Sequence, residues 1–407
     1  MYHSVGRVLE DWHWAILTVP AATFENHLKA LARGRYATVG LTELGEHVAQ
    51  RRPLPERTVV LTLDDGYVDN WTYAVPLLRK YGFTATVLVT PEFVDPRDVL
   101  RPTLEDVWAG RAREDDLEVR GFMSWRELST AVATGVLSVQ SHALTHTWYA
   151  VSPEVVDFHH PGDGHYWLDW NAYPADKPYY LVDPDRSRVA WGSPVYRHAK
   201  SLQATTVYRP DPSEAEYLVA RADEVGGASG FSSPAWRAAL RAALADYRAR
   251  HGVRGDNESD AERRARFERE LTSSKRAIET QLGVEVRHLV WPGGGYCDES
   301  LEMALGVYDS VTWSGANRWE LKNRPGEDSR LVTRRGVPFV QAGGHRVYTG
   351  GRYLLHLLDE YAGRPGARPA RQAMKALALA GLRIGAWPAG GRGRIPLVPR
   401  TRTAGHA

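Results

Sequence analysis

Asp64 and Asp65, adjacent and followed by Gly66, and His142 and His146, with three residues between them, are the side chains of this 407-residue chain whose types and spacing point to chemistry. Two imidazoles at that spacing can lie on one face of a helical turn and bind one cation. A carboxylate added to them makes a three-ligand set for a catalytic zinc or similar divalent ion, with a position left open for water. An ion held this way acidifies water, and a second carboxylate beside it can take up the proton, which suits the hydrolysis of an amide. Alone, Asp-Asp-Gly also reads as an ordinary turn, and the histidine pair as surface or capping residues. Placement decides between these readings.

Thr58-Val59-Val60-Leu61-Thr62-Leu63 is a short apolar, β-branched run that leads straight into Asp64-Asp65-Gly66, the pattern of a buried strand entering a loop. Ala85–Val89 is a second such run, and Leu137–Gln140 a third, running into Ser141 and His142. Helix-like stretches around Phe24, Leu28 and Leu31, from Tyr73 to Tyr81 and from Trp125 to Thr134 alternate with them, which predicts an α/β fold with a parallel sheet. Further strands are expected at Val286–Trp291, Ser310–Trp313 and Leu331–Thr333. Both candidate pairs therefore sit at the C-terminal ends of strands, the rim where such sheets gather ligands.

Composition narrows the options. Hydrophobic residues at 43% and charged residues at 25% are those of an ordinary globular chain. A net charge of +2 gives no whole-protein argument for nucleic-acid binding. The single cysteine, Cys297, excludes an intrachain disulfide and any cysteine zinc cluster, so a metal must be held by histidine and carboxylate.

The motifs resemble those of the polysaccharide deacetylases with the NodB homology domain, also called carbohydrate esterase family 4. The first is Thr62-Leu63-Asp64-Asp65-Gly66, with Leu63 where the family usually has an aromatic residue; the resemblance implies Asp64 as catalytic base and Asp65 as metal ligand. The second is Ser141-His142-Ala143-Leu144-Thr145-His146, implying His142 and His146 as the other ligands. The third is Trp291-Pro292-Gly293-Gly294-Gly295-Tyr296, with Gly293 where a tyrosine is usual. It implies an oxyanion donor in the Gly293 backbone N–H and substrate contacts from Trp291, Pro292 and Tyr296. Tyr2-His3, Pro76-Leu77-Leu78 before Tyr81-Gly82, and Arg330 with Arg334 are similar to the branch acting on exopolysaccharides such as poly-N-acetylglucosamine. The resemblance covers roughly residues 1 to 152 and 256 to 340. Its implied fold is a distorted (β/α) barrel, of seven strands in the family's usual form, with a large insertion and a helical C-terminal extension. Its implied cofactor is a divalent ion, zinc first, with cobalt, nickel or manganese as alternatives. Its implied partner is an N-acetylated glycan and its implied reaction the release of acetate.

The family's general acid is often a histidine in Leu-x-His, for which the nearest candidates are His356, in Leu354-Leu355-His356, and His345. Two other functions stay open: a carbohydrate-binding protein that kept the fold without catalysis, and an amidohydrolase or O-acetyl esterase on a small molecule. The expected organisation is 1–152 as the first part of the barrel, 153–255 as the insertion, 256–345 as the second part and 346–407 as the extension. The insertion is aromatic-rich, with Trp167, Trp170, Tyr173, Tyr179, Tyr180 and Trp191, which either pack it onto the barrel or offer faces for sugar rings. Asp163 and His165 approach the active site if the insertion covers its rim. After Glu360 there are nine Lys and Arg residues and no acidic one. A helix from Arg371 to Ile384, with Met374, Leu377, Lys375 and Arg383, either packs on its own domain or lies on an anionic membrane or cell-wall surface. The chain as written opens with no export signal and reads as cytoplasmic, whereas family members are often exported. The abrupt start at Met1-Tyr2-His3 leaves an upstream start codon open.

Overall fold

The computed structural model of the chain describes residues 1–9, 12–172, 174–180, 186–315, 320–342, 345–383 and 394–396. Six strands form one parallel sheet in simple sequence order: β1 (Thr62–Asp65), β2 (Ala85–Val89), β3 (Leu137–Ser141), β4 (His288–Leu289), β5 (Ser310–Thr312) and β6 (Leu331–Val332). Parallel neighbours need crossovers, and helices such as Val75–Tyr81, Trp125–Ala133 and Asp298–Val307 supply them. Val87, Val139, Leu289 and Val311 are buried, as strands covered on both sides require. The sheet curls as a barrel does, with six strands among the described residues where seven were expected. The open seam between β6 and β1 is filled by Tyr2, which makes a single parallel bridge to Leu63, and by Arg334, which reaches Thr62 across it. The apolar run 58–63 is interrupted, because Thr58–Val59 leaves to pair with Ala37–Thr38.

The irregular region begins earlier and more regularly than the sequence suggests. Trp148–Phe158 is a long strand paired antiparallel with Pro194–Lys200, forming a two-stranded arm. Pro153 lies where the register shifts between Ala150 and Val155, and such an irregularity accommodates a residue that cannot donate to the ladder. That is why the alternation breaks at this point in the sequence. Helices Pro212–Glu224 and Trp236–His251 pack on the arm around Phe158, Leu218, Ala222 and Leu240, a small core separate from that of the barrel. The chain returns through helix Asp260–Glu268, a π-helical turn at Arg269–Ser273 and helix Ser274–Leu282.

Helix Gly351–Tyr361 packs against helix Ala21–Arg33, where Gly351 donates its N–H to Asn26. Helix Ala367–Arg383 follows, tied back by the Arg371 pair with Glu360, and Leu377 on it is exposed. No helix among the described residues is long and apolar enough to cross a membrane. Ile384, Tyr173 and most of the cationic tail after Arg383 lie outside the described residues, as do the side chains of Tyr180 and Arg383.

Candidate active site

β1 delivers two carboxylates in succession, and strand alternation turns them to different neighbours. Asp64 accepts two hydrogen bonds from the Arg334 guanidinium, at 2.6 and 2.9 Å, with His3 Nε2 3.9 Å away. Burial alone would raise this carboxyl, but the charge and hydrogen bonds of Arg334 hold it below the ordinary range. Asp65 ends the strand with a left-handed φ of 73°, and its Oδ1 stands 3.2 Å from His142 Nε2 and 3.8 Å from His146 Nε2. Here too burial works against ionisation, and the imidazoles, His142 first, outweigh it and keep the carboxyl low.

The histidines do not lie on a helical turn. Ala143 (φ 59°) and His146 (φ 52°) are both left-handed, so residues 142–147 form an irregular loop. Left-handed backbone at non-glycine residues is costly and persists where the surroundings enforce it. Here the Glu270 carboxylate, from the π-helical turn, accepts the N–H groups of Leu144 and Thr145 at 3.0 Å each and the Thr145 hydroxyl. Lys177, 1% exposed and carried by the insertion, donates to Thr145 O, Thr147 Oγ1 and Glu92. His146 is wedged between Phe93 and Trp170, and Trp170 stacks on Trp14. Burial drops His146 to about 4, so it is a neutral ligand-competent imidazole at neutral pH.

The donor set fits a divalent ion. Ligand atoms of Asp65, His142 and His146 all lie within 4.8 Å of one another, and Asp65 Oδ1 is buried with no hydrogen-bond partner of its own. A carboxylate oxygen facing two imidazole nitrogens in a buried pocket suits zinc chemistry. Opposite, the turn Trp291–Gly295 spends the N–H of Gly294 on Trp291 O and that of Gly295 on Pro292 O. Gly293, at φ 53°, is exposed, and its N–H makes no hydrogen bond among the described residues.

Residues 51–159, which contain all four residues Asp64, Asp65, His142 and His146, match the family model described as polysaccharide deacetylase. Over these residues the chain is similar to the polysaccharide deacetylases. Over 89 residues it is 37% identical to YxkH of Bacillus subtilis (strain 168), whose name places it in the same family; the match covers 22% of this chain and 30% of that protein. Over 181 residues it is 25% identical to the poly-beta-1,6-N-acetyl-D-glucosamine N-deacetylase of Escherichia coli (strain K12), covering 44% of this chain and 23% of the relative. The chain thus matches under a third of the length of either relative. Among solved structures, a de-N-acetylase from Aggregatibacter actinomycetemcomitans aligns with a TM-score of 0.47 at 16% identity, over 82% of this chain and 91% of the other.

Other expected site residues are placed differently. Trp291 is 1% exposed and donates its indole N–H to Thr312 O, and Pro292 is buried, so neither offers a face to a sugar. Their part is to shape the turn; Tyr296, half-buried, stacks on Trp291. His356 is corrected as a general acid. Leu354, Leu357, Leu358 and Tyr361 of its helix face the seam, and helical spacing leaves His356 on the other side. His345 lies on strand His345–Tyr348, with its side chain outside the described residues. Asp163 is engaged within the insertion, by His159 and Arg186, and His165 lies against Asp157 there. Arg330 pairs with Asp328 at the surface, whereas Arg334 reaches the site. Glu270 and Lys177 carry no signal in the sequence, since neither belongs to a motif and both act across long chain separations.

Proposed function

We propose that the protein hydrolyses N-acetyl groups of an N-acetylated glycan and releases acetate. The carrying observation is the convergence of Asp65 Oδ1, His142 Nε2 and His146 Nε2 beside a second carboxylate, Asp64, that Arg334 keeps ionised. A divalent ion bound by Asp65 and the two histidines would supply Lewis acidity toward the acetyl carbonyl and toward water. Asp64 is the base that takes the proton from the attacking water, and its low proton affinity keeps it in the accepting form at neutral pH. The unspent Gly293 N–H is the backbone donor for charge developing on the carbonyl oxygen. The name of the Escherichia coli relative supports poly-N-acetylglucosamine as the first substrate to try. As a further part of this reading, the arginine-rich tail would hold the enzyme near an anionic membrane or cell-wall polymer, which co-sedimentation with anionic vesicles tests.

The experiment is acetate release from N-acetylglucosamine oligomers by the purified protein, with metal content measured in parallel. Activity should stop on chelation and return with zinc or cobalt. Asp64→Asn should keep the metal and lose at least about a hundredfold in kcat. Bound metal with no acetate released from any acetylated glycan would move the reading to a binding protein or another acyl substrate.

A further inference from the structure

The insertion arm brings a lysine to the site. Its second strand ends at Lys200, whose partner in the ladder is Trp148, two residues beyond His146. The lysine stem lies on the glycine turn: a Cβ placed on Gly293 would meet Lys200 Cε at 2.5 Å and Nζ at 3.2 Å, and one on Gly295 would meet Cδ at 2.6 Å. The two glycines therefore leave the room that this side chain occupies, including the position where the resembled motif carries a tyrosine.

The ammonium is held but not neutralised. It sits 4.9 Å from the Trp148 ring, a cation–π contact, and among the described residues it makes no hydrogen bond or ion pair. Lys200 shares a small closed recess with His146, Thr147, Pro292 and Glu270, whose carboxylate is taken up by the Leu144 and Thr145 N–H groups and the Thr145 hydroxyl, and the lysine charge is felt at His146. Lys177, the other lysine of the insertion near this loop, has three partners. A half-buried cation with no ion-pair partner within reach is costly, and a negative charge arriving beside it recovers that cost. Nζ stands close to Gly293, whose N–H is the unspent donor of the turn.

We propose that Lys200 is a catalytic residue of this site, a charged N–H donor from the insertion to the carbonyl oxygen of the amide under attack. The inference rests on the deacetylase reading for the identity of that amide. Lys200 stays protonated throughout: water adds to the carbonyl carbon, negative charge gathers on its oxygen, and Nζ–H and the Gly293 N–H donate to that oxygen without transferring a proton. The arm is thereby part of the active site, and Gly293 serves it by having no side chain.

The test uses the full metal-loaded protein and the variants Lys200→Met, Gly293→Ala and the pair. Lys200→Met should lower kcat on the order of a hundredfold, with KM, metal content and melting temperature little changed. Gly293→Ala should also lower kcat, because its Cβ displaces the lysine, and the double variant should be no worse than Lys200→Met alone. A wild-type kcat in Lys200→Met overturns the proposal, as does a double variant whose losses multiply. Binding of acetate, titrated calorimetrically, separates this inference from the function it rests on. Should the wild type turn over no acetylated glycan, the deacetylase reading fails by itself; acetate affinity at least tenfold weaker in Lys200→Met still supports a lysine facing the acyl oxygen, and unchanged affinity overturns it.

Discussion

Asp64 keeps its charge chiefly through one side chain, with His3 and His142 adding to its effect. Arg334 meets both of its oxygens in a fork that lysine cannot reproduce. Arg334→Met should therefore leave an unpaired buried carboxylate, costing about 3–5 kcal/mol of stability, and reduce kcat at least about tenfold while bound-metal content stays at the wild-type level. Denaturant titration, kinetics and metal analysis of the one variant check this; unchanged kcat would show that the pair serves only the fold. A second buried carboxyl behaves in the opposite sense. Asp69 has no exposed surface and accepts from Ser4, and burial raises it to about 7. Its folded pKa lies above its unfolded value, so its stabilisation is complete below pH about 4 and is lost as pH rises through about 7. Asp69→Asn should remove that part of the slope. The difference in unfolding free energy between variant and wild type should grow by a few kcal/mol, to order of magnitude, from pH 4 to pH 8, and a constant difference would refute it. At this scale the four polar residues were legible, because ligand and base types at strand ends announce themselves. Lys200 was not, since it is one lysine among many until the arm folds it onto Gly293.

The loop 142–147 shows what spacing conveys and what it hides. Two histidines with three residues between them do converge, yet through left-handed residues rather than through a helical turn. The forces that hold this geometry come from Glu270, some 125 residues later in the chain, and from Lys177. Local pattern carries no trace of such partners. Glu270→Gln replaces an acceptor-only group by one with a single acceptor oxygen, leaving a loop N–H or the Thr145 hydroxyl unsatisfied. Zinc affinity, measured by competition with a chelator, should fall roughly 10- to 100-fold, and wild-type affinity would mean that the loop holds itself. The sheet strands were legible in part. Ala85–Val89 appears as expected, while β4 is only His288–Leu289 because the remainder of its apolar run bends into the glycine turn. The arm escaped notice because its ladder is irregular around Pro153 and its alternation mixes aromatic with charged residues.

At the scale of the whole molecule, a barrel-like sheet, an arm and a seam meet at one rim. The alternating pattern before residue 141 was enough to predict the α/β class, because each strand there pairs with its sequence neighbour. The arm and the satellite core around Leu218 and Leu240 answer to contacts that only the folded chain brings together. The seam has a further consequence, for the order in which the protein is made. Arg334 follows Asp64 by 270 residues. At ribosomal speeds of about 5–20 residues per second, roughly 14 to 54 s separate their synthesis. During that interval closing the barrel rim would bury Asp64 without its arginine, so the emerging chain is held back from a finished catalytic pocket by its own electrostatics. A nascent chain stalled just short of Arg334 should accordingly be cut readily by protease near Asp64, and release from the stall should end that sensitivity.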